Sequence, residues 1–275
     1  MKLWAFFAIP LVFASGTARA QQVPNAPIGT TAEASPPDAP QPAAMTPAKI
    51  AEMRAEIMMA RKDYADAAKA YEALLTGDPH NASLLNQLGM AYELEGDVPH
   101  AQRAYKKSAS ADKHLSSALN NLGTIEYSAK RYGKAIKYYK KALDTGDAVP
   151  AVYTNLGYAY CGIKEYPRAR DAFNKALALD PDVFEHKGAG GSTLQQRTAV
   201  DSAQLHFLLA KSYAKIGDAV RAARYLKMAR DEGYKDFLSV EKDPDFAKVI
   251  KDEGVQDVLR IRPAYANAPD KPVSN

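Results

Sequence analysis

Cysteine and tryptophan are almost absent from this chain of 275 residues. With Cys161 as the one cysteine, no disulfide can close within the molecule. Long apolar runs are missing too. The most apolar stretch, Leu3 to Ala14, falls well short of the roughly twenty residues a membrane-spanning helix needs. An excess of one charge is also lacking. Lys and Arg number 36 against 32 Asp and Glu, a formal balance of +4. Setting aside Lys2 and Arg19, which lie in the leader described below, leaves +2. That balance gives no footprint for nucleic acid.

The motifs of chemistry are equally scarce. The histidines His80, His100, His114, His186 and His206 stand neither at i, i+4 nor in an H-E-x-x-H string, which argues against a metal site. No G-x-S-x-G or Gly-rich dinucleotide fingerprint occurs. Gly188, Gly190 and Gly191 precede Ser192 and Thr193, but no Lys follows them and no strand leads in, so the context of a phosphate loop is missing. Nothing around Cys161 marks it as a nucleophile. Carboxylates are abundant, as on any solvated helical surface, and no catalytic pair stands out. The sequence therefore predicts no enzyme, no cofactor and no metal.

What is present is ordinary globular material, 47% hydrophobic and 25% charged. This excludes wholesale disorder, collagen and a polytopic membrane protein. The first twenty residues join a charged start at Lys2, an apolar middle and Ala18-Arg19-Ala20. That is the pattern of a secretory signal peptide cleaved after Ala20. The expected location is periplasmic or secreted, with no membrane span once the leader is removed. In an oxidising compartment a lone thiol is either shielded or paired between chains, and shielding as a small buried apolar residue is the expectation for Cys161. Residues 21–47 hold seven prolines, no aromatic residue, and Glu33 and Asp38 as their only charges. Such a segment buries too little to offset its ordering entropy and reads as an extended disordered linker. It serves either as a tether or partner ligand, or as a remnant of export.

Beyond Pro47 the chain repeats. Leu88-Gly89, Leu122-Gly123 and Leu156-Gly157 are spaced by 34 residues. Ala67, Ala101, Ala135 and Ala169 keep the same step, and so do Tyr71, Tyr105, Tyr139 and Phe173. Three series sharing one period mark a stacked repeat array. The units read 48–81, 82–115, 116–149, 150–183 and, after a glycine-rich loop at 184–202, 203–236. Within unit four, Tyr153, Leu156, Gly157 and Tyr160 form one helical stripe, and Ala169, Phe173, Ala176 and Leu177 form a second. Pro167 suits the first turn of the second helix, and Asp180-Pro181 ends it. Residues 237–262 continue a weaker helical pattern, with a start at Asp243-Pro244, and read as a cap covering the last apolar face. Residues 263–275 read as a disordered tail.

These positions resemble the tetratricopeptide repeat family over roughly residues 48–236. Unit four carries Tyr153, Leu156, Gly157, Tyr160, Tyr166, Ala169, Phe173, Ala176, Leu177 and Pro181 in the family's places. Some positions depart from the pattern. Arg54-Ala55 replaces Leu-Gly in unit one, where Ile50, Met53 and Ile57 suggest an end-capping stripe. Glu126 occupies the first-helix aromatic position in unit three, displacing Tyr127 by one. The resemblance implies an all-α, right-handed superhelical solenoid of stacked antiparallel helix pairs whose first helices line a concave groove.

Helical geometry then points Asn86, Gln87, Met90 and Glu93 of unit two into that groove, with Asn120, Asn121 and Thr124 of unit three. Thr154, Asn155 and Tyr158 follow from unit four, and Phe207, Lys211 and Lys215 from unit five. Similar repeat proteins use asparagines at the place of Asn121 and Asn155 to contact bound peptides, and amides can both donate to and accept from a peptide backbone. Unit one offers Glu52 and Glu56 where some members carry a basic clamp for a terminal carboxylate, which argues against such a clamp here. The expected function is a non-enzymatic scaffold binding an extended peptide or helix of a protein partner. The alternative is a structural subunit of an envelope or secretion assembly, acting by self-association or through its convex face.

Because Trp4 is the one tryptophan, removal of the leader leaves none. The protein recovered after export should show tyrosine emission alone. Tryptophan emission from that material would mean that the leader is retained.

Overall fold

The computed structural model describes residues 45–146, 149–185 and 202–261. The expected leader and tail, the proline-rich linker up to residue 44, and most of the 184–202 loop, lie outside these residues, and Pro47, placed in that linker, opens the first helix instead. Eleven α-helices are present among the described residues, and no strand. They are α1 (Pro47–Arg61), α2 (Tyr64–Gly77), α3 (Ala82–Glu95), α4 (Val98–Ala111), α5 (Ser116–Ser128) and α6 (Tyr132–Leu143). Then follow α7 (Pro150–Gly162), α8 (Tyr166–Leu179), α9 (Ser202–Ile216), α10 (Ala219–Asp231) and α11 (Glu253–Arg260).

Local chemistry sets the ends of these helices. Thr46, Asn81, Asp97 and Asp218 each accept a hydrogen bond from a backbone N–H in the first turn that follows. Pro47, Pro99, Pro150 and Pro167 sit in first turns, where the absent N–H is harmless. Each hairpin between paired helices passes through one residue with positive φ, at the same place in every unit: Lys62, Gly96, Lys130, Lys164 and Gly217. Glycine adopts this conformation freely, whereas each lysine there carries a cost of about 1–2 kcal/mol.

Consecutive helices pack as pairs, α1 on α2 through α9 on α10, and each pair stacks on the next through α2–α3, α4–α5, α6–α7 and α8–α9. The fold is thus a solenoid of stacked antiparallel helix pairs. Inside three of the pairs a glycine meets a ring sixteen residues later. A Cβ on Gly89 would lie 2.5 Å from Tyr105, one on Gly123 2.4 Å from Tyr139, and one on Gly157 2.3 Å from Phe173. These are far below any real contact, so the small residue is a steric necessity.

The departures in unit three have a structural reason. Glu126 is buried, its carboxylate held by the Arg131 guanidinium and, at 3.3 Å, by the Gln102 amide. The hydrogen bond from Arg131, helped by its charge, holds the Glu126 carboxyl below the usual carboxylate range. Tyr127 is also buried and meets Tyr132 edge to face, with ring centroids 5.2 Å apart.

Two expectations need correction. Ile50, Met53 and Ile57 do not cap the stack against other described residues, since all three are exposed. Ala55, Met58 and Met59 face the core instead. At about 100° per residue the three exposed side chains lie on the far side of α1 from Ala55. The start expected at Asp243-Pro244 is present, with the Asp243 carboxylate accepting from the Asp245 N–H at 3.0 Å, but it opens a three-residue 3₁₀ turn, Pro244–Phe246, rather than a longer helix. A 3₁₀ stretch, Phe237–Lys242, precedes it and α11 follows. Phe237, Val240, Phe246, Val249 and Val255 are nonetheless buried in one cluster with α9 and α10. Lys211 in α9 pairs with Asp243 at 2.7 Å and Asp245 at 3.0 Å, and Arg170 in α8 reaches Asp245 at 2.8 Å.

Gly157→Ala should force α7 and α8 apart and destabilise the protein by about 1–3 kcal/mol. The fifth pair places Ala210 sixteen residues before Leu226, both buried. Adding Phe173→Leu to Gly157→Ala should therefore recover part of the loss in a thermal or urea melt. A double variant no more stable than the single one would refute the steric account.

Candidate protein-binding face

The first helices of successive pairs lie within side-chain reach of one another. Asn121 Nδ2 donates to Asn86 Oδ1 at 3.1 Å, and Asn155 Nδ2 donates to Asn120 Oδ1 at 2.9 Å. Both bonds span 35 residues, one repeat plus one position. They form an amide ladder across α3, α5 and α7. Helices α5 and α7 also approach directly. The ladder joins first helices to one another, so the first helices of units two to four share one side of the stack, the inner side, and the second helices lie on the other, outer side.

The residues expected on the inner face divide into two groups. Gln87, Met90, Asn120, Asn121 and Thr124 are half-buried, on the open side of α3 and α5, and Lys215 is exposed at the end of α9. Thr124 Oγ1 donates to the Asn120 carbonyl at 3.2 Å. Asn86 is buried, with its amide holding Asn121 and lying 3.9 Å from Met90 Sδ.

The remaining residues are not available to a partner. Tyr158 has no exposed surface and packs edge to face on Phe173, ring centroids 5.4 Å apart. Burial pushes its phenol well above the ordinary range. Asn155 is 1% exposed and Thr154 is buried, its hydroxyl donating to the Pro150 carbonyl at 2.7 Å. Phe207 is buried and stacks on Tyr234 with centroids 4.0 Å apart. Lys211 is spent on Asp243 and Asp245. The three α7 residues share one reason. Every residue of α7 from Thr154 to Cys161 is buried, so this helix has no open inner stripe. The sequence held a sign of it, since Pro150–Gly162 contains no charged residue.

Within this helix Cys161 is buried as well, and burial pushes its thiol up to about 12. Among the described residues no group of three His, Cys, Asp or Glu side chains gathers as for a metal ion. No helix among them is long and apolar enough to cross a membrane. In the folded protein iodoacetamide at mildly alkaline pH should leave Cys161 unmodified, while denatured protein should take up one equivalent. Stoichiometric labelling under native conditions, read by mass spectrometry, would contradict the burial.

Solved structures resemble this chain at low identity. The crystal structure of MamA shares 21% identity at a TM-score of 0.45, covering 66% of this chain and 95% of that one. MamA 41-end from Desulfovibrio magneticus RS-1 shares 20% at 0.47, covering 68% and 95%. PilF of Pseudomonas aeruginosa shares 19% at 0.46, covering 72% and 94%. No curated protein matches the chain. Sequence models of the tetratricopeptide repeat match residues 53–113 and 114–182. Those adjoining matches coincide with the helix pairs whose glycine–ring contacts recur every 34 residues. Residues 53–182 are thus tetratricopeptide repeats.

Proposed function

We propose that the protein is an exported, non-enzymatic scaffold that binds an extended segment or helix of a protein partner along the inner side of α3 and α5. The amide ladder is the observation that carries this reading. Each ladder bond uses one donor and one acceptor, so the half-buried Asn120 and Asn121 keep amide capacity beyond the ladder, and Gln87 is half-buried as well. Amides already locked by their neighbours lose little freedom on binding, which favours affinity. Met90 supplies an adaptable apolar contact in the same stretch. The leader pattern of residues 1–20 supports export, and the absence of a recognisable nucleophile with its base motivates the non-enzymatic reading.

A photo-crosslinking residue placed at Gln87 or Thr124, in the native host, should trap one partner. The same residue at Lys69, exposed on the second helix of unit one, should not. Equal trapping at Lys69, or none at Gln87 and Thr124, would remove the inner face from consideration.

A further inference from the structure

The outer side of the stack carries hollows of unequal size. Ala70 in α2, Ala104 in α4, Tyr138 in α6, Ala172 in α8 and Tyr225 in α10 occupy one and the same position of the repeat. Where tyrosine stands, its ring takes up space, and the hollow between units two and three, lined by Ala109, Leu119 and Lys141, is the smaller at about 310 Å³. Tyr138 packs on the cluster of Tyr105, Leu122 and Ile125, and Tyr225 is buried with its ring stacked on Tyr213 at 5.5 Å. Beside Ala104 and Ala172 the clefts are larger. One, of about 380 Å³, is floored by Leu85, Leu88 and Tyr92 beside Ala104. The other, of about 560 Å³, is floored by Tyr153, Leu156 and Tyr160 beside Ala172. The two are one site repeated, because each floor residue of the second lies 68 positions after its counterpart in the first.

Cations dominate the rims. Arg103 and Lys107 border the first cleft, and Lys140, Arg168 and Lys175 the second. The Arg168 guanidinium lies 5.9 Å from the Tyr160 ring centroid, and Lys175 Nζ lies 5.7 Å from that of Tyr153. Carboxylates are fewer: Glu72, which accepts from the Tyr92 hydroxyl, in the first cleft, and Asp144 and Asp171 in the second. Between the clefts α4 exposes Arg103, Lys106 and Lys107 and α6 exposes Lys134, Lys137, Lys140 and Lys141. Neither helix contains an acidic residue. A concentrated charge on one face of a chain whose overall balance is small selects partners of the opposite sign.

We propose that these two clefts are paired anchor pockets for one acidic segment of a protein partner. The segment seats a bulky apolar side chain in each cleft and lays its carboxylates along α4 and α6. A protein segment fits better than a bilayer or a nucleic acid. The apolar atoms lie at the bottom of clefts beneath the cations, where a side chain reaches them and a flat lipid surface does not. A nucleic acid would need open stacking faces, whereas each floor mixes leucine with tyrosine at the bottom of a recess, and the overall charge balance is only +4. This face lies opposite the proposed inner groove, and the proposal does not depend on that groove being used.

The test uses the full chain and a set of labelled glutamate-rich peptides. Each carries two phenylalanines at increasing separation, and control peptides have alanine in their place. Fluorescence anisotropy should show at least one phenylalanine peptide binding, more weakly as salt rises, and its alanine control binding at least about tenfold more weakly. Ala172→Tyr fills the second cleft with the residue that repeats three and five already carry, so folding should be kept while binding falls about tenfold or more. Paired Lys140→Glu and Lys175→Glu should weaken binding similarly without touching the packed floor. Circular dichroism checks that each variant is folded. Failure of every peptide to bind overturns the proposal, and so does binding indifferent to Ala172→Tyr and to the lysine changes. Tighter association with phosphatidylglycerol vesicles or single-stranded DNA than with any peptide, unchanged in Ala172→Tyr, would reassign the face to a general polyanion contact.

Discussion

A backbone pressed against an aromatic ring governs this architecture. Gly89, Gly123 and Gly157 let Tyr105, Tyr139 and Phe173 lie flush on the first helix of their own pair. That contact fixes how closely the two helices approach, and the approach fixes which side chains protrude to meet the next pair. The end pairs satisfy the same constraint by other means. Unit one sets Ala55 sixteen residues before Tyr71, and unit five sets Ala210 before Leu226. A slightly larger first residue is thus accommodated where the pair is terminal or the second residue is not a ring. Once the pair spacing is uniform, a bond such as Asn121 to Asn86 recurs one repeat later as Asn155 to Asn120.

The period, the pairing and the glycine positions were legible in the sequence because each follows from spacing within a unit. The availability of the inner face was not, because it depends on what neighbouring elements cover. Tyr158 and Asn121 both fall on the predicted groove side of a first helix, yet one is sealed and the other half-open. A helical wheel assigns a direction but cannot tell whether that direction is already filled. Lys211 illustrates the same gap, since its partners Asp243 and Asp245 come from a segment whose 3₁₀ turns lack the periodicity that would have placed them. The stripe of Ile50, Met53 and Ile57 was misassigned for the converse reason: apolar spacing alone does not say which face of α1 meets Tyr71.

The two long sides of the stack differ in chemistry. The inner side of α3 and α5 offers amides and a thioether with little charge, while the outer side of α4 and α6 offers cations over recessed apolar floors. The difference arises because first helices must pack against neighbours on three sides and tolerate few charges. Second helices meet fewer elements and keep a solvated face. Within that solvated face, one position of the repeat, alanine or tyrosine, helps set how large the hollow between pairs is.

The two ends of the array are finished unequally. At the C-terminal end the ion pairs of Arg170 and Lys211, and the bond from Arg230 to the Val258 carbonyl at 2.9 Å, clasp the last helices under a cap. At the other end α1 presents Ile50, Met53 and Ile57 to solvent with no described neighbour beyond them. In a quasi-linear stack each pair draws its stability from adjacent pairs, so among the described residues the α1 end is where opening starts. The molecule should therefore unzip in one direction, with backbone amides of α1 and α2 exchanging with solvent long before those of α7 and α9.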